Sequence, residues 1–484
     1  MLARMKHRGP DDHGEVRLER SGLGHRRRSI VAGESGHQPL ATPDEALWLF
    51  GNGEIYNHED VRSRIGPAQY STRSDNEVAL RLIAARGPQA LGELEGMFAL
   101  LAAGPDGSFV AARDPVGIKP LYWARDDDRV QFASEMAAFD ADLQPLVEAF
   151  PPGHYWMPTS GLERFATAVP ASEEDSVIRA SPELEREQTR QTLVASVERQ
   201  MMGDVPVGVF LSGGLDSTLV AAIAARRLAE EGERLQTFAV GTEGSPDLLA
   251  ARAAAECLDT EHHERIYTAH EALAAVPAVV RAIEHFDPSL VRSAVPNFLL
   301  AETTARHVKV VLTGEGADEL FAGYEYLRDF RDPRRLHAEI TRTVEGLHNL
   351  NLQRCDRVTM AHGLEARVPF LDREVIVFAL GLPAESKLAG RGEPEKRLLR
   401  EAFAGWLPDE LLWRRKSQFG DGSGAASVLT EVMEETVTEA ELERDRGVVD
   451  PPLRTREELA YFRIFSEHLP GVRPERTVGR FATA

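Results

Sequence analysis

The chain has 484 residues with 56 basic and 77 acidic side chains, a formal net charge of −21, which argues against a generic nucleic-acid surface and suits an enzyme of small metabolites. It contains no apolar run of about 18 residues able to span a membrane and no charged-apolar-small leader at its start, so a cytoplasmic protein of two or three domains is expected. Cys257 and Cys355 are the only cysteines, too far apart for a zinc site or a disulfide framework, and lysine is scarce, six residues against fifty arginines.

The opening run from Met1 to Asp12 reads as the end of a helix, with no capping residue before it. The basic run His25 to Arg28 is weak support for nucleic acid in an acidic chain and reads as a solvated face with one arginine free to pair a ligand carboxylate. Leu47 to Phe50 reads as a strand that ends in a turn, Gly51-Asn52-Gly53-Glu54, where Asn52 and the Gly53 backbone can form an oxyanion hole and Glu54 with Asp75 can bind an ammonium group. A helix from Asn76 to Ala85 and apolar segments at 97–101, 108–114, 121–123 and 130–135 indicate a layered, β-rich domain.

Five motifs in this order carry a resemblance: His7-Arg8-Gly9-Pro10-Asp11, Asn52-Gly53-Glu54-Ile55-Tyr56-Asn57, Ser74-Asp75-Asn76-Glu77-Val78, Arg113-Asp114-Pro115-Val116-Gly117-Ile118-Lys119-Pro120, and Phe132-Ala133-Ser134-Glu135. They resemble the class II glutamine amidotransferase half of the glutamine-dependent asparagine synthetase family. That resemblance implies a four-layer α-β-β-α sandwich of Ntn-hydrolase type, with Arg27 on the glutamine carboxylate, Arg28, Ser29, Ile30 and Val31 on the same side, Asn52 and Gly53 as oxyanion hole, and Glu54 and Asp75 on the amino group. Arg28 departs from the family, where an aliphatic residue is often found. The family's nucleophile is the thiol of an N-terminal cysteine with its own amine as base, and no such cysteine stands here; its strand and following helix would precede Met1. A start placed at an internal methionine and a natural loss both account for this, and either way the chain as given is expected not to hydrolyse glutamine.

Residues 140 to 185, punctuated by Phe150-Pro151-Pro152-Gly153 and acidic at Glu173-Glu174-Asp175, read as a linker, dividing the chain at 1–165 and 166–484. A helix from Pro182 to Met202 leads to Val207-Gly208-Val209-Phe210-Leu211, a buried strand breaking into Ser212-Gly213-Gly214 and a helix from Asp216. Bare amides at two glycines before a helix N-terminus form a phosphate cradle, and the absence of a lysine excludes the common P-loop. Strands at 235–240 and 308–312, helices after each, and Thr313-Gly314-Glu315-Gly316-Ala317-Asp318 at the last strand end describe a doubly wound parallel sheet in which Asp318 can face Asp216 across one metal. His262-His263 reads as a surface loop, and Glu431 to Arg446 as one solvated helix.

Ser212-Gly213-Gly214-Leu215-Asp216-Ser217 resembles the PP-loop of ATP pyrophosphatases, and the Thr313 to Tyr324 run, Gly363 to Asp372, Glu395 to Arg400 and Arg415 to Phe419 resemble the synthetase half of the same family, so the likeness covers nearly the whole chain. It implies Mg²⁺ held by Asp216 and Asp318, polyphosphate contacts from Ser212, Gly213, Gly214 and Ser217, adenine between Leu211 and Val240, and nucleotide contacts from Thr313 and Gly314. Glu315 would assist formation and amidation of the acyl-adenylate, Lys396 would neutralise pyrophosphate, and Arg292 would read the aspartate carboxylate, although Ser289 and Leu290 stand where some relatives have threonines. The expected function is ATP- and Mg²⁺-dependent asparagine synthesis through β-aspartyl-AMP, with nitrogen from glutamine in the complete protein and from free ammonia in the chain as given. Its expected partners are small molecules, with neither nucleic acid nor membrane and with a possible homodimer. Two rivals stand beside it: a β-lactam-synthetase-like enzyme, opposed by Gly244-Ser245-Pro246-Asp247-Leu248, and a non-catalytic glutamine or nucleotide sensor, opposed by the retained carboxylates and Lys396.

Overall fold

The computed structural model describes residues 1–66, 70–169, 181–330, 332–390, 392–414, 424 and 426–481; Arg415 to Phe419 and Glu173 to Asp175 lie outside the described residues. The first 165 residues hold strands β1 (Asp12–Arg17), β2 (Gly22–Arg27), β3 (Leu40–Ala41), β4 (Trp48–Ile55), β5 (Gly96–Ala103), β6 (Phe109–Arg113), β7 (Tyr122–Arg125), β8 (Val130–Ala133), β9 (Val147–Ala149), β10 (His154–Met157) and β11 (Gly161–Arg164), with helices α1 (His58–Ile65) and α2 (Glu77–Arg86). They form a β1-β2 hairpin, a six-stranded sheet in the order β11-β10-β6-β5-β4-β3 and a three-stranded sheet β8-β7-β9, all antiparallel. Alternation along β5 explains the layering. Phe98, Leu100 and Ala102 meet Val61, Val78 and Leu82 of the two helices, while Ala99 and Leu101 meet Leu121, Trp123 and Phe132 of the second sheet.

In the second half, strands β12 (Val207–Phe210), β13 (Gln236–Gly241), β14 (Glu261–Ile266), β15 (Val310–Leu312) and β16 (Glu365–Arg367) alternate with helices α3 (Pro182–Gln200), α4 (Leu215–Ala229), α5 (Pro246–Cys257), α6 (Ala269–Ile283), α7 (Pro288–Thr304), α8 (Ala317–Leu320), α9 (Pro333–Gly346) and α10 (Asn351–Met360). Helix α3 starts where local chemistry says it should: Ser181 Oγ accepts from the Leu184 amide at 3.3 Å, Pro182 takes the first turn, and Glu183 and Glu185 face the positive end of the dipole. All strand pairs are parallel in the order β14-β13-β12-β15-β16. Strand order reverses at β12, so the crevice beyond the carboxyl ends of β12 and β15 is the place where such a sheet binds ligands.

Five sequence expectations are corrected. The first residues form turns and a single 3-10 turn, Lys6–Arg8, rather than the end of an α-helix. The stretch Gly51 to Glu54 is not a turn: it continues β4 in register with Met97 to Leu100 of β5, because the ladder of backbone bonds outweighs the turn preference of glycine and asparagine. Residues 147–164 are β9 to β11 rather than linker, their prolines falling between strands, where no ladder amide is needed. His262 and His263 lie on β14, His262 Nδ1 at 3.0 Å from Thr237 Oγ1 and His263 stacked on Phe238. The acidic tail is two helices, Ala426–Glu435 and Glu439–Asp445, the second restarted by a capping box of Thr438 and Glu441.

The halves share one core. The three-stranded sheet turns Tyr122, Ala124 and Val147 into the same buried cluster as Val358 and Leu364, and buried charges cross the joint. Arg357 Nη1 lies 3.1 Å from Glu135 and its Nη2 3.0 Å from Glu284. Glu284 also accepts from the amides of Met136 and Ala137 at 2.8 and 2.7 Å, Arg8 pairs with Asp356 at 2.8 Å, and Lys119 with Glu365 at 3.2 Å. Removing one member of such a set leaves its partners charged and dry. Arg357→Met is therefore expected to cost on the order of 3–5 kcal/mol, measured as a fall in the denaturant midpoint.

Burial opposes the ionisation of Glu135, but the bond from His7 and the charges of Arg357 and Arg8 outweigh it and hold this carboxyl down at about 2. A folded value below the ordinary 4.5 means that its stabilisation is complete above pH 4.5 and is lost as pH falls toward 2. Between those two pH values the E135Q protein should lose less stability than its parent, as read from acid-unfolding curves.

Candidate active site

At the carboxyl edge of the parallel sheet, β12 gives way to Leu211, whose amide donates to Phe238 O at 2.8 Å and whose side chain is buried. The loop that follows closes on itself: Ser212 Oγ and Ser217 Oγ are 3.0 Å apart, Ser217 Oγ donates to Gly214 O at 3.2 Å, and the Gly214 amide meets Ser212 Oγ at 3.3 Å. Gly213 has φ +69° and lies so close to α5 that a Cβ there would sit 2.5 Å from the Ala250 backbone, so no other residue fits. Val240 is buried at the end of β13. Thr313, at the end of β15, gives both its amide and its hydroxyl to Arg367 O, at 3.0 and 3.3 Å.

Asp216, in the first turn of α4, and Asp318, in α8, converge on one cation: Lys396 Nζ is 2.5 Å from Asp216 Oδ2 and 2.6 Å from Asp318 Oδ1. Burial alone would lower the lysine, but the two carboxylates reverse this and hold it above the ordinary lysine range. Glu315 is pushed up by burial and further by Asp318 and Asp216, and it is bonded to Arg354 of α10. Among the described residues no group of three metal-ligating side chains exists. Two carboxylates aimed at one point have the hard oxygen donors that a Mg²⁺ ion completing its shell with phosphate and water would take, so the residues fit that ion.

In the amino-terminal half a cavity of about 100 Å³ is lined by Arg27, Arg28, Ile30, Val31, Asn52, Gly53, Glu54 and Asp75; Ser29 does not line it. Arg27 spends its donors on its own loop, at 2.7 Å to Gly33 O, 2.9 Å to Val31 O and 3.2 Å to Ser29 Oγ, and Arg28 pairs with Asp11 at 2.8 Å. Asn52 Nδ2 is buried without an acceptor among the described residues. Glu54 is driven well above the usual carboxyl range by burial, then by Asp75 and Glu365, and Asp75 is itself raised by burial. Two buried acids side by side favour a cationic ligand.

The family model described as Asparagine synthase matches residues 188–332 and 328–461, and that of the Glutamine amidotransferase domain matches 1–157. A probable glutamine-hydrolyzing asparagine synthetase of Schizosaccharomyces pombe is 39% identical over 96% of this chain and 89% of its own. Asparagine synthetase B (glutamine-hydrolyzing) of Escherichia coli is 39% identical over 96% and 87%, and glutamine-hydrolyzing asparagine synthetase 3 of Arabidopsis thaliana 38% over 98% and 85%. The chain belongs to the asparagine synthase family.

Within this family member, most of the residues picked from sequence fall into two clusters, while Arg292 is engaged elsewhere, by Glu457 and Thr430 at 3.0 Å each. Cys355 lies beside Thr313 and Glu315, its thiol pushed up to about 12 by burial, and Cys257 is exposed at the end of α5. Sequence reasoning missed Arg354, Glu319 and Gly323. Glu319 accepts from Tyr324 Oη at 2.6 Å and Asn351 Nδ2 at 3.1 Å, and burial pushes it up to about 7; its place next to Asp318 was the available signal. Gly323 has no room for a side chain, since a Cβ would lie 2.0 Å from Asp318 Oδ1 and 2.3 Å from Lys396 Cε. Because those atoms belong to the buried Asp318–Lys396 pair, and the Asp318 Cα lies only 3.0 Å from the same point, Gly323→Ala should lower the melting temperature by several degrees, on the order of 1 kcal/mol or more, and reduce aspartate-dependent ATP turnover at least tenfold.

Proposed function

We propose that this protein makes asparagine from aspartate at the expense of ATP through a β-aspartyl-AMP intermediate, with free ammonia as the nitrogen source for the 484 residues given and glutamine as the source where the family's amino-terminal thiol is present. The observation that carries this reading is the convergence of Asp216 and Asp318 on Lys396 at the ends of neighbouring strands β12 and β15. In this reading Ser212, Ser217 and the amides of Gly213 and Gly214 hold the polyphosphate. Leu211 and Val240 bracket the adenine, and Thr313 and Gly314 meet the nucleotide. Asp216 and Asp318 would hold Mg²⁺, which would supply charge neutralisation for the leaving pyrophosphate.

An aspartate β-carboxylate oxygen forms a bond to the α-phosphorus as the bond to pyrophosphate breaks, and Lys396 stays on the leaving group's side as its counter-charge. Ammonia then adds to the acyl carbon, and expulsion of AMP leaves the amide. Glu315, raised first by burial and then by Asp318 and Asp216 against the pull of Arg354, which also steers it, takes the proton that the nitrogen loses. The aspartate contact assigned to Arg292 requires it to leave Glu457.

Glutamine would occupy the amino-terminal cavity, its amino group between Glu54 and Asp75 and its amide oxygen at Asn52 and Gly53. Its carboxylate would draw on Arg27, with Arg28 to Val31 alongside. Strand β16 relates the two places: Glu365 lines that cavity, and two residues on, Arg367 O holds Thr313, a span of about 7 Å of extended chain. Ammonia released at one end would travel beside β15 and β16 to the other. The 484-residue protein incubated with aspartate, ATP, Mg²⁺ and an ammonium salt should release asparagine, AMP and pyrophosphate in equal amounts. With glutamine replacing ammonium it should form no glutamate. ADP in place of AMP, or exchange of pyrophosphate into ATP without aspartate, would overturn the adenylation reading.

A further inference from the structure

Arg414 belongs to neither cluster of site residues, yet its guanidinium spans the PP-loop and the start of α5. Nη1 donates to Gly213 O at 2.9 Å, and Nη2 lies 3.5 Å from Pro246 O and 3.7 Å from Asp247 Oδ1. Asp247 is buried at the N-terminus of α5, and its Oδ2 has no hydrogen-bond donor among the described residues. Burial raises this carboxyl to about 6, with Arg414 pulling the other way.

The geometry has a direct consequence for phosphate binding. Gly213 O and the Gly214 N–H belong to one planar trans peptide and point in opposite directions, so fixing the oxygen aims the amide at the Ser212 side of the loop, where it meets Ser212 Oγ at 3.3 Å and where the polyphosphate is proposed to lie. The same loop is already pressed onto α5, where Gly213 leaves no space for a Cβ against Ala250 and Ala251. A guanidinium brings two nitrogens in a fixed fork, one to Gly213 O and one to the α5 terminus, where a lysine would bring a single ammonium.

We propose that Arg414, backed by Asp247, is a positioning residue that orients the Gly213–Gly214 peptide so that its amide faces the polyphosphate of ATP. This rests on the nucleotide reading of the PP-loop given above. It sets the clamp apart from the adenine and ribose contacts, so its loss weakens ATP and pyrophosphate binding and spares AMP.

Titration calorimetry on the 484-residue protein with a non-hydrolysable ATP analogue and with AMP, each in Mg²⁺, tests this. Arg414→Met should raise the dissociation constant of the ATP analogue by about tenfold or more, equivalent to about 1.4 kcal/mol, and that of AMP by less than about twofold. Arg414→Lys and Asp247→Asn should shift the ATP analogue in the same direction by smaller factors. If Arg414→Met does not fold, the comparison rests on the other two variants. Equal loss of both nucleotides, or unchanged affinity for the ATP analogue in all folded variants, overturns the clamp. A parent protein that binds neither nucleotide overturns the PP-loop reading itself, and the clamp with it.

Discussion

Two carboxylates held within 2.6 Å of one ammonium set the terms for the whole second half of the molecule. Asp216 and Asp318 come from helices that begin after different strands, and their meeting requires β12 and β15 to be neighbours in a sheet whose order reverses there. Like charges so close together would repel strongly in a dry site, so the lysine is as much a condition of the fold here as a tool of the chemistry. A rigid frame follows from it. The backbone of Gly213 is jammed against α5, Gly323 leaves no room beside the pair, and the Thr313 amide is fixed on β16.

The second constraint is the joint between the halves, where Arg8, Lys119, Glu135, Glu284, Asp356 and Arg357 are all buried. An apolar joint of the same volume would serve stability equally well or better. What charges add is direction, since each must find its own partner, and a shifted docking leaves several unpaired. Helix α10 shows the use of that precision: Arg354 reaches Glu315, Asp356 and Arg357 hold the amino-terminal half, and Met360 lines the cavity proposed for glutamine. One rigid helix thus touches both candidate sites.

How much of this was legible in the sequence depends on the range of the interaction. The Ser212 to Ser217 loop and the Thr313 to Asp318 turn were readable because strand, glycine and helix signals fall within a dozen residues. Where local preference and tertiary pairing disagree, the sequence misleads: Gly51-Asn52-Gly53 has turn chemistry, yet eight consecutive pairs with β5 make it a strand. The proline-rich stretch before residue 165 looked like a linker because its strands are three or four residues long. Arg414 and Gly213 are 201 positions apart, and nothing in one chain announces such a pair.

Lysine scarcity is where composition and geometry meet. Three of the six lysines bring a single nitrogen to acceptors from different parts of the chain: Lys396 to Asp216 and Asp318, Lys119 to Glu365 and Asp356, and Lys309 to Asp11 and Ser29 O. Such niches suit a compact charge that can donate in three divergent directions. Arginine takes the opposite geometry, as when Arg113 spreads its donors over the carbonyls of Gly117, Lys119 and Phe150. In a chain with fifty arginines these three lysines mark points where several acceptors crowd one position, and Lys119 and Lys309 place two of those points between the halves. Lys309 sits at the entrance to β15 and Thr313 at its exit, so the strand that opens against the Asp11 and Ser29 loop ends at the proposed nucleotide site.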